Sequence, residues 1–301
     1  MKFDVTLLTE SRYLNPSNPD WYAEQILTED RILQKALERK GLSVRRCDWA
    51  DRSINWSETS VVLFRTTWDY FHRFKEFSVW LEQVSTQTTL INPAELIHWN
   101  INKRYFEDLE VRGVNCVETV YIKSSSTQTL RSICEATEWT KWVLKPTVSG
   151  AGRHTYLITS EELDAHEELF QSLVSEEEMM IQPFIQSVVD FGELSLMVMN
   201  GQYTHAVHKT PKKGDFRVQD DFGGTVKMFE PTQAEIKFAE RAVQACTPKP
   251  MYARVDMVKD NAGQLAIAEL ELIEPELWFR FNEKAADVLA EGIAKKLTAI
   301  N

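Results

Sequence analysis

Asp256, in the run YARVDMV, and Glu269 and Glu271, in AELELIEPE, are carboxylates on segments patterned as strands. Side chains two residues apart on a strand point to one face, so Glu269 and Glu271 project together. Pairing of the two segments in one sheet would bring Asp256 beside them. Three carboxylates massed on one face repel each other unless a hard cation neutralises them, and all-oxygen donors suit magnesium. The competing reading is a solvated acidic face. The apolar Leu270, Leu272 and Ile273 between and beyond them mean that the opposite face is buried in either case.

Lys145 is flanked by Trp142, Val143, Leu144 and Pro146. A lysine in so apolar a strand either snorkels to the surface or sits beside an anion. Ser149-Gly150-Ala151-Gly152-Arg153 follows. It is either an ordinary hairpin turn or a loop whose amides can approach phosphate without Cβ hindrance. It fits neither the P-loop pattern nor G-x-G-x-x-G.

These residues need elements to position them. Val5 to Thr9, Leu42 to Cys47, Val61 to Arg65 and Thr89 to Asn92 read as strands. Helices are expected over Tyr22 to Lys40, closed by Gly41, and over Phe74 to Ser85. Residues 1–100 thus predict a small parallel-sheet α/β domain. Its third strand ends in Arg65-Thr-Thr-Trp-Asp-Tyr70, and ligands of open α/β sheets bind at carboxyl ends of strands. From Cys116 the pattern becomes antiparallel: CVETVYI, a helix near 129–137, WVLKP, HTYLIT, a helix near 161–174, then MMIQPFI. The remainder reads as the strands GELSLMVMNG, QYTHAVHKTP, MYARVDMV and QLAIAELELIEP. One amphipathic helix accompanies them, with Ala239, Ala242, Val243 and Cys246 on its core face.

At 301 residues the chain has room for two or three small α/β units. Its net charge of -11 opposes nucleic acid as a partner, so any nucleotide must meet a local basic cleft. Cys47, Cys116, Cys134 and Cys246 form no metal-binding spacing and read as buried thiols of a reducing compartment. No secretory signal and no apolar run of membrane-spanning length is legible, so a cytoplasmic location with no membrane partner is expected. A homodimer is the default oligomer.

Taken in order, these motifs resemble the ATP-grasp superfamily, specifically its glutathione-synthetase-like ligases and ribosomal-protein glutamate ligases. The resemblance implies an N-terminal parallel α/β domain (1–100), a lid subdomain with a glycine-rich loop (101–185) and a C-terminal subdomain with a metal site (186–301). The two α+β subdomains would clasp ATP. Lys103 and Lys145 resemble the family's phosphate-contacting lysines, and Gly150, Ala151 and Gly152 its mobile loop. Gln182, Phe184 and Ile185 would frame adenine, with Glu193 on ribose. HKTPKKGDFRVQDDFGG is similar to the stretch that turns Lys209 and Arg217 toward phosphate. Many relatives carry asparagine where this chain has Glu271, which keeps an oxygen ligand and adds a negative charge.

FRTTWDYF, NPAELIHWNINKRYF, GDFRVQ and ELELIEPELWF look most like a subgroup that cyclises O-ureido-serine to cycloserine. On this resemblance Arg65, Trp68, Asp69, Tyr70 and Glu274 would meet substrate; packing under the lid is the other reading for the aromatic run. Arg254 is taken to lie one strand face away from Asp256, so its catalytic, oxyanion-stabilising role beside Arg217 and Lys209 rests on the resemblance. The implied activity is an ATP-dependent carbon–nitrogen ligase. It would use two magnesium ions, with manganese as a substitute, to join a small carboxylate to an amine through an acyl-phosphate. A phosphotransferase and a noncatalytic ATP-binding protein are the alternatives.

Overall fold

The computed structural model describes residues 3–150, 152–218 and 223–300. Ala151, one of the expected loop contacts, lies outside the described residues. The first sheet contains β1 (Phe3–Thr9), β2 (Val44–Asp48), β3 (Thr59–Thr66) and β4 (Thr89–Ile91), all parallel in the order β2-β1-β3-β4. Its central strands are apolar on both faces, with Leu7, Leu8, Leu63 and Phe64 fully buried, as a sheet covered by helices requires. The flanking helices are α1 (Ser11–Leu14), α2 (Trp21–Arg39) and α3 (Phe74–Ser85). Asp20 caps α2 by accepting from the Ala23 amide at 2.8 Å, and Gly41 at φ +77° ends it in the left-handed region that glycine enters without strain.

α4 (Ala94–Ile101) and α5 (Tyr105–Val111) lead into an antiparallel sheet of order β5-β8-β6-β7. Its strands are β5 (Val120–Ile122), β6 (Lys141–Pro146), β7 (Tyr156–Thr159) and β8 (Met179–Pro183), with α6 (Leu130–Glu135) and α7 (Leu163–Glu176) packed on it. The glycine-containing segment is the β6–β7 hairpin loop.

After α8 (Gln186–Asp190) comes the third sheet: β9 (Glu193–Met199), β10 (Gln202–Thr210), β11 (Thr225–Phe229), β12 (Tyr252–Lys259) and β13 (Leu265–Glu271). It is antiparallel in the order β11-β10-β9-β12-β13, and α9 (Gln233–Ala245) buries the expected Ala239, Ala242 and Val243 against it. Two buried asparagines tie the sheets together. Asn92 donates to the carbonyls of Tyr252 (2.9 Å) and Leu272 (2.8 Å), and Asn100 donates to Leu270 O at 2.8 Å while accepting from Leu272 N at 3.0 Å. Buried polar groups need such partners, so these linkages specify where the last sheet sits on the first.

The sequence pattern does not anticipate α1, α4, α8, β11 or the final helix α10 (Glu283–Ile300). α10 returns to the first sheet: Ala286, Leu289, Ala290 and Ile293 join Val5, Leu33 and Leu37 in one core, and Arg39 meets Asp287 at 2.5 Å. Its alanine-rich apolar stripe has no local marker of which partner it covers, which is why it escapes a reading by segments. All four cysteines are buried free thiols, and no described helix is long and apolar enough to cross a membrane.

Candidate active site

Antiparallel pairing of β12 and β13 sets Asp256 opposite Glu269 and Arg254 opposite Glu271. All four side chains therefore share one face. Arg254 and Asp256 are two residues apart, and the expectation that they occupy different faces is corrected: Arg254 Nε donates to Asp256 Oδ1 at 2.9 Å and Nη2 to Oδ2 at 2.8 Å. Arg254 also pairs with Glu271.

Oxygens of Asp256, Glu269 and Glu271 lie within 4.8 Å of one another. Lysines from three different elements converge on them. Lys103, just before α5, reaches Glu269 Oε1 at 3.0 Å and donates to Ser149 O in the glycine loop at 2.6 Å. Lys209, on β10, stands 3.1 Å from Asp256 Oδ2 and pairs with Glu193 at the start of β9. Lys145, on β6, turns into the same cleft rather than snorkelling away.

Electrostatics follow from this crowding. Burial pulls Lys145 down to about 8, opposed by Glu269 and reinforced by Lys103. Burial also acts to raise Asp256, but Arg254 and Lys209 overcome it and hold its carboxyl far below the usual range. Glu271 is pushed up to about 8, chiefly by burial, with Glu269 and Asp256 adding repulsion that Arg254 only partly offsets. The three carboxylates of the site offer only oxygen donors, close enough together to share one ion. The three residues therefore fit a hard divalent cation.

The cleft, about 860 Å³, continues between the sheets. Gln182, Phe184, Ile185 and Glu193 line one end, with Phe216 edge-on to Phe184 at 6.2 Å between centroids. Gln182 is oriented by donating to Thr119 Oγ1 at 2.9 Å. Gly150 and Gly152 line the side formed by the hairpin loop, and a Cβ on Gly150 would stand 2.7 Å from Phe71 Cε1. Arg217 also lines the cleft, its Nη2 2.7 Å from Asp215 Oδ2.

The other end is built by loops of the first sheet. Trp68, Asp69, Tyr70 and Glu274 line it as expected. Trp68 Nε1 donates to Glu274 O at 2.9 Å, Asp69 accepts from Trp49 and Arg73, and the Tyr70 hydroxyl reaches the Glu274 carboxylate. Burial raises Glu274 to about 7.

Arg65 does not join them. It is 2% exposed, with Nε 3.1 Å from Asp30 Oδ1 and Nη2 3.8 Å from Glu29 Oε2, and the residues that line the cleft do not include it. The expectation that it contacts substrate is corrected on that geometry: its charge is already consumed by two buried carboxylates of α2. Glu10, Tyr13, Glu276 and Trp278 are among the cleft residues that were not anticipated. The strand-end rule, applied to β1 as it was to β3, points to Glu10. Trp278 carries no local signal, and its place is visible only in the fold, where Arg254 stacks over its ring at 5.0 Å and Lys209 at 5.7 Å.

Comparison with known proteins agrees with this architecture. Residues 5–92 match the family model of the D-cycloserine synthetase DcsG N-terminal domain, and residues 110–266 match that of the prokaryotic glutathione synthetase ATP-grasp domain. The cycloserine biosynthesis protein DcsG of Streptomyces lavendulae is 30% identical over 283 residues, covering 88% of this chain and 92% of that protein. The crystal structure of D-cycloserine synthetase DcsG superimposes with a TM-score of 0.86 at 27% identity, covering 97% of this chain and 99% of the other. D-alanine–D-alanine ligase from Bacillus anthracis, solved in complex with ATP, shares the fold at a TM-score of 0.67 and 11% identity, covering 99% and 98%. The chain belongs to the ATP-grasp family and is an ATP-dependent ligase.

Proposed function

We propose that this protein is an ATP- and magnesium-dependent carbon–nitrogen ligase that activates a small-molecule carboxylate as an acyl-phosphate. The observation that carries this reading is the convergence of Lys103, Lys145, Lys209 and Arg254 on the carboxylate trio Asp256, Glu269 and Glu271 in one cleft. Cations without the trio would suit any anion, and the trio without the cations any divalent ion. The combination suits a nucleotide phosphate chain with its metal.

In this reading Asp256, Glu269 and Glu271 hold magnesium, two ions by analogy with the family, and manganese substitutes. When bound, the metal neutralises phosphate charge and orients the transferred phosphoryl group. Gln182, Phe184 and Ile185 frame adenine, and Glu193 contacts ribose. Lys103 and Lys145 hold phosphate oxygens, Lys103 giving up its contacts to Ser149 and Glu269 as it does so. Lys209, Arg217 and Arg254 offset the charge that develops as the substrate carboxylate takes the phosphoryl group and as the amine attacks. The loop at Gly150 and Gly152 excludes water from the activated acid. We retain the division into 1–100, 101–185 and 186–301, with α10 docked back on the first unit.

Substrate belongs at the end lined by Trp68, Asp69, Tyr70 and Glu274. Similarity to a cycloserine biosynthesis protein over most of the chain makes O-ureido-serine the first carboxylate to test and ring closure the first reaction. The test is magnesium-dependent ADP release with each O-ureido-serine enantiomer and with a panel of amino acids, with product masses measured. A phosphorylated product that persists, with no amide formed, would replace this reading by phosphotransfer. ATP binding without substrate-dependent ADP release would replace it by a binding role.

A further inference from the structure

The first half of the proposed reaction has its groups; the second needs one that removes a proton from the attacking nitrogen. Most carboxylates lining the cleft are already engaged. Glu10 pairs with Arg12 at 2.8 Å, Asp69 with Arg73 at 2.8 Å, Glu269 with Lys103 at 3.0 Å, and Glu193, Glu271 and Glu276 with Lys209, Arg254 and Arg280. Asp20 caps α2. Glu274 differs: among the described residues no cation stands in ion-pair contact with it, and its side-chain partner is the Tyr70 phenol, itself 4% exposed.

Its position is also distinctive. Glu274 is three residues past Glu271 on the segment leaving β13, and its backbone carbonyl accepts from Trp68 of the β3–α3 loop at 2.9 Å. It thus stands where the phosphate end of the cleft meets the end built from the first sheet. An acyl carbon bonded to the transferred phosphate would lie at that junction. We infer that Glu274 is the general base of the amide-forming step, a role that rests on the ligase reading, and that Tyr70 is the residue that positions it.

The step balances as follows. The nitrogen lone pair attacks the acyl carbon, a carbon–nitrogen bond forms, and the nitrogen's proton passes to a Glu274 carboxylate oxygen. The carbon–oxygen bond to phosphate then breaks, phosphate leaves with the bonding pair, and Glu274 returns its proton to solvent. A carboxylate that meets one phenol and its own backbone amide, with no cation in ion-pair contact, keeps lone pairs for that proton. A group that positions a carboxylate by a single hydrogen bond contributes less than the carboxylate itself.

Hydroxylamine separates this role from binding. It is a strong nucleophile and largely unprotonated at neutral pH, so it captures an acyl-phosphate as the hydroxamate without a protein base. With O-ureido-serine, ATP and magnesium, Glu274→Gln is expected to lower the ratio of ring-closed product to hydroxamate by about 100-fold relative to wild type, whatever loss of substrate binding it brings to both. Tyr70→Phe, which keeps the carboxylate, should show the same selective loss at about tenfold, and it carries the test if Glu274→Gln does not fold. Equal loss of both products would make Glu274 a binding or structural group and overturn the inference with the ligase reading intact. Retention of both products would overturn it as well. A wild-type protein that releases no ADP with O-ureido-serine would instead overturn the ligase reading on this substrate, and the inference with it.

Discussion

Arg65 Nε lies 3.1 Å from Asp30 Oδ1, and both side chains are 2% exposed. The pair joins the carboxyl end of β3 to the middle of α2, and Glu29 completes it from the preceding residue of the helix, where it also meets Arg280 at 3.3 Å. An arginine that sequence alone sends to the substrate is therefore a bracket between α2, β3 and the segment following β13.

Arg65→Met removes the cation that Glu29 and Asp30 share, but Asp30 keeps Arg46 at 2.6 Å and Glu29 keeps Arg280 at 3.3 Å, so it is expected to cost about 1 to 3 kcal/mol of stability. ATP affinity of the folded fraction should be unchanged. Urea unfolding together with calorimetric ATP titration checks both; a fully stable variant with a raised Michaelis constant for substrate would restore the substrate role.

Burial loosens the hold of Lys145 on its proton, against the pull of Glu269 and with the push of neighbouring Lys103. Lys145→Met keeps the apolar stem and removes the charge, so the folded protein should be at least as stable while ATP binds about tenfold or more weakly. Calorimetry on a variant with unchanged melting temperature decides it, and wild-type affinity would take Lys145 out of the nucleotide site.

Glu269 and Asp256 separate in their consequences. Glu269→Gln removes anionic coordination from a partly exposed position and should raise the magnesium concentration needed for ADP release by about tenfold or more with the fold intact. Asp256→Asn also strips Lys209 and Arg254 of their common counter-ion, so it should lower the melting temperature as well. A magnesium titration of ADP release, paired with thermal melts, distinguishes the two; unaltered metal dependence in Glu269→Gln would remove that residue from the metal site.

His205 sets a pH limit on stability. Burial pulls its pKa from 6.5 down to about 4, against backbone hydrogen bonds near Leu277 and Trp278 that favour the charged form. The folded state thus keeps the ring neutral while the unfolded chain takes up a proton below about 6.5. The unfolded state binds more protons in that window, so stability present above pH 6.5 is lost as pH falls toward 4, by about 3 kcal/mol from this group. Comparing the unfolding free energies of wild type and His205→Gln across pH 4 to 7 isolates it: the difference should move in favour of the variant as pH falls. A pH-independent difference would show that His205 does not titrate differently on folding.

Much of this protein is determined by local pattern. Alternation along AELELIEPE places Glu269 and Glu271 on one face, Gly41 stops α2, and the apolar run around β1 and β3 requires a covered parallel sheet; each follows from residues a few positions apart. The cysteines' burial and the core stripe of α9 are legible for the same reason. What tertiary structure alone decided are the pairings across long sequence separations: Arg65 with Asp30, Lys103 with Glu269, Trp68 with the Glu274 carbonyl, and α10 with the first sheet. Side-chain direction is a property of the strand or helix that carries the residue, so a sequence reveals it. The charge that a side chain finally meets depends on which surfaces are buried together, and that is settled only when hydrophobic faces from distant segments have closed on one another.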